Sequence, residues 1–231
     1  MQYGQFCPIA KATEILGEKW TILIVRELVM GGRRFSDMQR GLGDISPALL
    51  AARLKSLEEQ GLVVRRKPPG RRSYEYWPTE ACRQLTPVLL ALGEWGLQYA
   101  RHTVLDSDLD VELLMLYLER SIDPSQLAGG HGVIRFRFHD LGRQRDWWLL
   151  VKDGRIDLCI TDPGHDVDVY FQCTLRTMHD VWMGDRSFRE AIRTGDLVAE
   201  GEPALLRTIE SWLRPSIFAG APRAPLPASP R

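Results

Sequence analysis

One stretch of the chain carries the side chains that bind phosphates. Residues 33–72 contain ten Lys and Arg against four Asp and Glu. Clustered cations of this kind attract nucleic-acid backbones, whose phosphates supply most of the affinity of non-specific binding. Residues 1–104 carry 15 basic against 10 acidic side chains, whereas residues 105–231 carry 15 against 20. We therefore expect the N-terminal part alone to meet a polyanion, although a solvated charged surface would show the same counts.

The other reactive side chains form no familiar catalytic set. The sequence lacks G-x-S-x-G, H-E-x-x-H, the phosphate-binding loop and the dinucleotide fingerprint. Asp166 and Asp168 share one strand face, where carboxylates are usually solvated or cap a turn. The cysteines form no C-x-x-C pair and the five histidines show no ligand spacing, so we predict no metal, no cofactor and no enzymatic activity.

Hydrophobic spacing and cap residues predict the elements that carry the cations. Ser36 is predicted to cap a short helix that Phe35 enters, and Gly41-Leu42-Gly43 is predicted to form a turn. Ser46-Pro47 opens a longer helix that buries Leu50, Leu54 and Leu57. The predicted helices of this half cover Cys7–Leu16, Lys19–Met30, the short helix after Phe35, Ser46–Gln60 and Thr79–His102, and the predicted strands cover Leu62–Arg66 and Ser73–Trp77.

A short helix, a turn, a helix and a basic hairpin suit binding to double-stranded DNA. The second helix of such a pair fits the major groove, which is about 12 Å wide, and small exposed alanines let its backbone approach the bases. A basic hairpin tip can follow the phosphates. The predicted DNA-binding residues are Arg34, Ser46, Ala48, Ala51, Ala52, Arg53, Lys55, Lys67, Arg71 and Arg72.

These residues resemble a known family, the HxlR-type winged-helix regulators, which are relatives of the MarR group. The matching blocks span roughly residues 7–100 and are Cys7-Pro8, Leu16-Gly17-Glu18-Lys19-Trp20, Arg34-Phe35-Ser36-Asp37-Met38, Ile45-Ser46-Pro47, Leu54-Lys55-Ser56-Leu57-Glu58, Gly61-Leu62-Val63-Val64-Arg65, Tyr74-Glu75-Tyr76 and Leu92-Gly93-Glu94-Trp95-Gly96. The resemblance implies a homodimer formed through the terminal helices, a pseudo-palindromic operator and recognition by the helix that begins near Ser46. Pro78–Cys82 departs from the family pattern, which has a threonine followed shortly by glycine.

The resemblance also draws attention to Cys7. Some members of the family use a cysteine near the N-terminus to sense oxidants or electrophiles, and Cys7 occupies that position. Such a thiol must be exposed and have a lowered pKa, which a helix N-terminus favours. The alternative is a small apolar residue buried in the dimer contact.

The second half has the pattern of an α+β domain. Its predicted helices and strands cover Leu109–Ile122, the alternating stretch around Ile134–Phe138, Asp146–Lys152, Arg155–Thr161, Val167–Phe171, Leu175–Met183, Phe188–Thr194, Leu197–Glu200 and Pro203–Leu213. Asp153-Gly154 is a strong hairpin signal, and we expect an antiparallel sheet. Five prolines in residues 215–231 predict a disordered tail.

This half is similar to sterol carrier protein 2-like domains over about residues 109–213. The stretches that carry the similarity are Val181–Asp185, Ala191–Leu197 and Glu200–Leu205. The resemblance implies a pocket for a hydrophobic small molecule or lipid. Its expected lining comes from Trp147, Trp148, Leu150, Phe171, Trp182, Met183 and Phe188, although the same aromatics would also suit an ordinary core.

The sequence therefore predicts an α+β protein with a winged helix-turn-helix domain at 1–104, a sterol carrier protein 2-like domain at 105–214 and a tail at 215–231. We expect a dimeric transcriptional regulator that an apolar ligand modulates. In the alternatives, the second domain is a carrier or interaction module without effect on DNA binding, or Cys7 is a sensor. No apolar run reaches the roughly 18–20 residues of a membrane span. Met1–Phe6 lacks a signal-peptide pattern, so we expect a cytoplasmic protein without a membrane partner.

Overall fold

The computed structural model describes residues 2–70, 73–100 and 104–221, and it divides the chain into two compact units, Met1–Trp95 and Gly96–Arg231. In the described part of the first unit, helices and strands follow the order α1 (Pro8–Leu16), α2 (Thr21–Val29), α3 (Phe35–Leu42), α4 (Pro47–Glu59), β1 (Val63–Arg66), β2 (Glu75–Pro78), α5 (Glu80–Arg83) and α6 (Thr86–Tyr99), the last of which crosses the division. Strands β1 and β2 pair antiparallel, with Val63 opposite Pro78. This is a winged helix-turn-helix.

The core of the first unit confirms the predicted stripe of α4. Leu50, Leu54 and Leu57 are buried, and they share one cluster with residues of α2 and α3, including Ile24 and Met38. Apolar burial of this kind contributes roughly 1.5–3 kcal/mol for each large side chain. The stripe therefore fixes which face of α4 points outward.

Two helix boundaries differ from the predicted ones. Arg34, and not Ser36, is the N-cap of α3, because Asp37 accepts a hydrogen bond from the Arg34 backbone N–H at 3.3 Å. The predicted helix over Thr79–His102 is broken before α6, and its last residues, 101 and 102, lie outside the described range. Pro87 has no N–H for the Arg83 carbonyl, which instead accepts the Thr86 hydroxyl at 2.7 Å.

The second unit is an α+β fold built on one five-stranded sheet in the described range. Its elements are α7 (Val111–Ser121), β3 (Gly132–Phe138), β4 (Asp146–Lys152), β5 (Arg155–Cys159), β6 (Val169–Cys173), α8 (Leu175–Trp182), α9 (Phe188–Thr194), β7 (Leu197–Gly201), α10 (Pro203–Arg207) and α11 (Ile209–Trp212). The strand order is β5-β4-β3-β6-β7. The β4–β5 hairpin turns at Asp153-Gly154, where both φ angles are positive, as the sequence predicted.

Three expectations for this unit were wrong. The sheet is mixed, because β6 pairs parallel with β3 while the other neighbours are antiparallel. The predicted helix over Pro203–Leu213 is two short helices that meet at Thr208. The first part of the predicted tail is ordered: Ser216 is buried, and its backbone N–H donates to the Trp182 carbonyl at 2.8 Å. Residues 222–231 lie outside the described range.

A buried carboxylate joins α2 to α3. The Glu27 side chain is fully buried, and its Oε1 lies 2.9 Å from the guanidinium of Arg26. That guanidinium also donates to the Gly41 carbonyl of α3 at 2.8 Å. A Cβ at Gly41 would lie 2.1 Å from Oε2 of Glu27, so the two helices approach this closely only because residue 41 is glycine.

We therefore predict that Gly41→Ala destabilises the first unit by about 2 kcal/mol, since overpacking costs roughly 1–3 kcal/mol and exceeds the gain in helix propensity. The matched control is Gly96→Ala in α6, where a Cβ meets nothing within 4 Å. That control should leave stability unchanged or raise it by up to about 1 kcal/mol. Urea unfolding of both variants measures the difference, and equal midpoints would show that Glu27 adapts without cost.

Candidate DNA-binding surface and ligand-binding residues

The start of α4 is set by local chemistry. The Ser46 hydroxyl oxygen accepts a hydrogen bond from the Leu49 N–H at 3.3 Å, and Pro47 is the first helical residue. Both features satisfy or remove backbone donors that a helix N-terminus leaves unpaired. The first turn of α4 therefore begins at a defined residue, next to the turn that follows α3.

The outward face of α4 is small and accessible. Ala48, Ala51 and Ala52 are exposed, and Lys55 keeps 77% of its side-chain surface in solvent. Lys55 lies 3.7 Å from Glu59 on the same helix, which is a weak exposed contact. Short side chains let a backbone approach base edges closely, while Lys55 can reach a phosphate.

Arg53 differs from its neighbours on α4. Its Nε–H donates to the Lys19 carbonyl at 3.2 Å, and its guanidinium forms an ion pair with Glu18. Only 23% of its side chain is exposed. The protein itself therefore already occupies this predicted DNA-binding side chain.

The wing holds its cations on aromatic rings. On one face of the hairpin, the Arg65 guanidinium carbon lies 3.6 Å from the centroid of the Tyr74 ring, and Lys67 Nζ lies 5.9 Å from it. On the other face, Arg66 lies 5.8 Å from the centroid of the Trp77 ring. Cation–π contacts of this kind contribute about 0.5–1 kcal/mol at exposed sites. They restrict long side chains that would otherwise be free.

Arg65 and Arg66 are absent from the sequence-based list of DNA-binding residues. Both are exposed and lie on β1 beside the predicted Lys67. The signal was present, because cations in β1 face aromatic residues in the strand that pairs with it. The other predicted wing residues, Arg71 and Arg72, lie outside the described residues, and Arg34 is exposed at the start of α3.

The four cysteines are free thiols in two different environments. Cys7 is partly exposed and lies at the N-cap of α1, whereas Cys82 and Cys173 are buried. Burial raises the pKa of the Cys82 thiol and raises the pKa of Cys173 to about 12, so both remain protonated at neutral pH. In the described part of the chain, no group of three or more His, Cys, Asp or Glu side chains is placed to hold a metal ion.

The seven predicted ligand-lining residues do not share one surface. Trp147 belongs to the core cluster with Phe171, Phe188 and Trp182, whereas Trp148 and Leu150 are not part of it. Adjacent residues of a strand point to opposite faces of a sheet, so Trp147 and Trp148 cannot line the same pocket. Met183 is the residue after α8 and is partly exposed.

The core-facing members of this set pack against other rings. The Phe171 ring centroid lies 5.2 Å from that of Phe136, 6.0 Å from that of Phe188 and 6.2 Å from that of Trp212. Trp182 stacks on Tyr117 at 5.2 Å between centroids, with its Nε1–H bound to another side chain. These distances are those of a packed aromatic core.

A cleft lies at one end of the sheet of the second unit. Its volume is about 390 Å³, and its walls come from Ala128, His131, Gly132, Val133, Leu150, Val151, Lys152, His165, Asp168, Glu202 and Leu205. Asp168 is committed to the fold, because its Oδ2 accepts the Val133 N–H at 2.7 Å. Leu150 is the member of the predicted lining set that this cleft includes.

The outer face of the sheet carries a charged cluster. Asp146 accepts hydrogen bonds from Arg137 at 2.8 and 2.9 Å and from Arg135 at 2.9 and 3.1 Å. Arg135 also lies 5.5 Å from the Trp148 ring centroid and 5.8 Å from that of Tyr170. The bonds from Arg137, with those from Arg135, hold the pKa of Asp146 below its ordinary range.

Comparison with known proteins places both units. Residues 15–104 match the HxlR-like helix-turn-helix family, and residues 113–214 match the SCP-2 sterol transfer family. The HTH-type transcriptional regulator YvaP of Bacillus subtilis is 34% identical over 108 residues, which are 46% of this chain and all of that protein. The regulator Rv3095 of Mycobacterium tuberculosis is 42% identical over 94 residues, which are 39% of this chain and 58% of that protein. The solved structure of reduced YodB from B. subtilis shares 31% identity over 42% of this chain and 98% of that one, with a TM-score of 0.38.

The fold and the match to YvaP together define the class, a helix-turn-helix transcriptional regulator. The chain belongs to the HxlR-like helix-turn-helix family, and an SCP-2 domain follows its DNA-binding unit. In the described residues, no helix is long and apolar enough to cross a membrane.

The Asp146 cluster predicts a pH effect on stability. Because the pKa of Asp146 is lowered on folding, its contribution is present above the unfolded pKa of about 4 and is lost as the pH falls through the lower folded value. Asp146→Asn should therefore lower the unfolding midpoint at pH 7, by about 1 kcal/mol, and should weaken its decline below pH 4. Urea unfolding from pH 2.5 to 7 tests this, and parallel curves for the two proteins would contradict it.

Proposed function

We propose that the protein binds a pseudo-palindromic operator as a homodimer, with α4 in the major groove and the wing on the phosphates. The observation that carries this proposal is the outward face of α4, where three exposed alanines and Lys55 lie on the side opposite the buried leucines. The positive charge of residues 33–72 lies in the same unit. Phosphate contacts then provide affinity, and base contacts of α4 provide the choice of sequence.

The homodimer is supported by apolar side chains left exposed on the terminal helices of the first unit. In α6, Val88 is 54% exposed and Leu92 is 48% exposed, and the same stripe continues through Trp95. Near the other end of the unit, Phe6 is fully exposed and Ile9 is 76% exposed. Residues four apart lie on one face of a helix, so α6 presents a continuous apolar stripe that a second copy would cover.

Substituting Leu92→Glu should convert the dimer to a monomer, because it places an unpaired charge in an apolar contact. Val198→Glu is the matched control, since Val198 is exposed to a similar extent, at 43%, on β7 of the second unit. Sedimentation equilibrium measures the mass of each variant. A monomeric wild type, or a Leu92→Glu variant that remains dimeric, would contradict the proposed interface.

The DNA contact of the wing has a salt signature. Arg65→Gln should weaken binding to all duplexes to a similar degree, and should reduce the slope of log K against log salt by about one unit for the lost phosphate. Arg189→Gln removes the same charge from an exposed position in the second unit and should leave that slope unchanged. Fluorescence anisotropy at several salt concentrations measures both. Equal slopes for wild type and Arg65→Gln would remove Arg65 from the contact list.

We further propose that the SCP-2 domain binds a hydrophobic small molecule and that this ligand changes operator affinity. The cleft at the sheet end supports this, since Val133, Leu150 and Leu205 supply apolar wall while His131 and Lys152 supply polar groups. A ligand can shift DNA binding only if it prefers one dimer geometry over another. Native mass spectrometry of the full chain reveals a co-purified lipid-like mass, and anisotropy before and after its removal tests the coupling.

The alternative is an SCP-2 domain that acts as a carrier or interaction module with no effect on DNA. The close packing of Phe171 against Phe136, Phe188 and Trp212 favours it, because those rings fill the region where the predicted pocket would lie. An adduct whose removal leaves operator affinity unchanged would support this alternative. Sensing by Cys7 remains a prediction, and its partial exposure at the start of α1 is compatible with it.

A further inference from the structure

The recognition helix is attached at its midpoint to the turn between α1 and α2. Arg53 is the central residue of α4, and its two contacts are to consecutive residues of that turn, the Glu18 carboxylate and the Lys19 carbonyl oxygen. Lys55, two residues further along, has 77% of its side chain exposed and lies near its own helix alone among the ion pairs of the described residues. One cation of α4 thus faces the protein and the next faces solvent.

The turn that receives Arg53 is conformationally fixed. Gly17 follows α1, and Trp20 precedes α2 with a φ of 79°. An aromatic residue rarely adopts this left-handed conformation, which persists only where its surroundings hold it. Lys19 Nζ lies 5.6 Å from the Trp20 ring centroid, which adds a further contact within the turn. Arg53 is therefore anchored to a defined backbone position.

We infer that Arg53 is a positioning residue that sets the rotation of α4 about its own axis, and that Glu18 is its anchor. The leucine stripe holds α4 to the core, but apolar contacts are not directional. A guanidinium bonded to a carbonyl and a carboxylate is directional, because its donors have a fixed planar geometry. The pair therefore aims Ala48, Ala51 and Ala52 at the bases. This inference rests on the proposed role of α4 in DNA recognition.

Positioning and phosphate contact predict opposite effects of Glu18. If Arg53 bound a phosphate, Glu18 would compete for the guanidinium and repel the DNA, so removing its charge would strengthen binding. If Arg53 positions α4, removing that charge releases the anchor and weakens binding to the specific sequence. The sign of the Glu18 effect therefore separates the two roles.

The test uses the full chain with Glu18→Gln, Arg53→Gln, the double variant and Arg53→Lys, with Lys55→Gln as the matched control on the same helix. The probes are a duplex that the wild type selects from a random library and an unrelated duplex of the same length. Anisotropy across a salt series gives the affinity and the salt slope for each. Thermal unfolding identifies a temperature at which every variant is folded, since an exposed ion pair contributes at most about 1 kcal/mol.

We expect Glu18→Gln and Arg53→Gln each to lose about tenfold in affinity for the selected duplex, which is the effect of about one lost base contact. Their salt slopes and their affinity for the unrelated duplex should equal those of wild type. The double variant should be no weaker than either single variant, because both remove the same interaction. Arg53→Lys, which keeps the charge without the planar fork, should show an intermediate loss. Lys55→Gln should reduce the salt slope by about one unit.

Three results would overturn the inference. One is a Glu18→Gln variant that binds the selected duplex as tightly as wild type or more tightly. Another is an Arg53→Gln variant whose salt slope falls by about one unit, as a lost phosphate contact requires. The third is a lower melting temperature with an unchanged ratio of selected to unrelated affinity, which would show a purely structural role. A wild type that selects no duplex would instead overturn the proposed function itself.

Discussion

The first unit depends on the burial of one leucine stripe. Leu50, Leu54 and Leu57 must leave water together, and this places the alanines of α4 on the outside. The close approach of α3 to Glu27 at Gly41 then fixes the helix before the turn. A surface made of small side chains on a firmly packed helix is what close contact with a DNA groove requires.

The polar contacts refine what burial sets. Exposed cations contribute to DNA binding only if ordering them costs little, and the Tyr74 and Trp77 rings restrict Arg65 and Arg66 before any DNA is present. Arg53 is held in another way, by the turn after α1, which connects α4 to the helix whose exposed face we assign to the dimer contact. The same residue type therefore serves two purposes within one unit.

Local signals in the sequence predicted most of the fold. Ser46-Pro47 and Asp153-Gly154 act through bonds between near neighbours, so their elements were predicted correctly. The parallel pairing of β6 with β3 and the pairing of Arg53 with Glu18 join residues about 35 apart, and no local pattern specifies them. The break before α6 had a signal in Pro87, which the apolar spacing outweighed. The ligand-lining set failed to converge because Trp147 and Trp148 alternate across one strand.

Photocrosslinking from position 48 tests the central claim most directly. The full chain would carry a small diazirine-bearing residue in place of Ala48, which is exposed in the first turn of α4. With the selected duplex, the account predicts crosslinks to bases at equivalent positions in the two halves of the sequence. Bound protein that gives no crosslinks from this position, or crosslinks scattered along the duplex without register, would contradict recognition by α4.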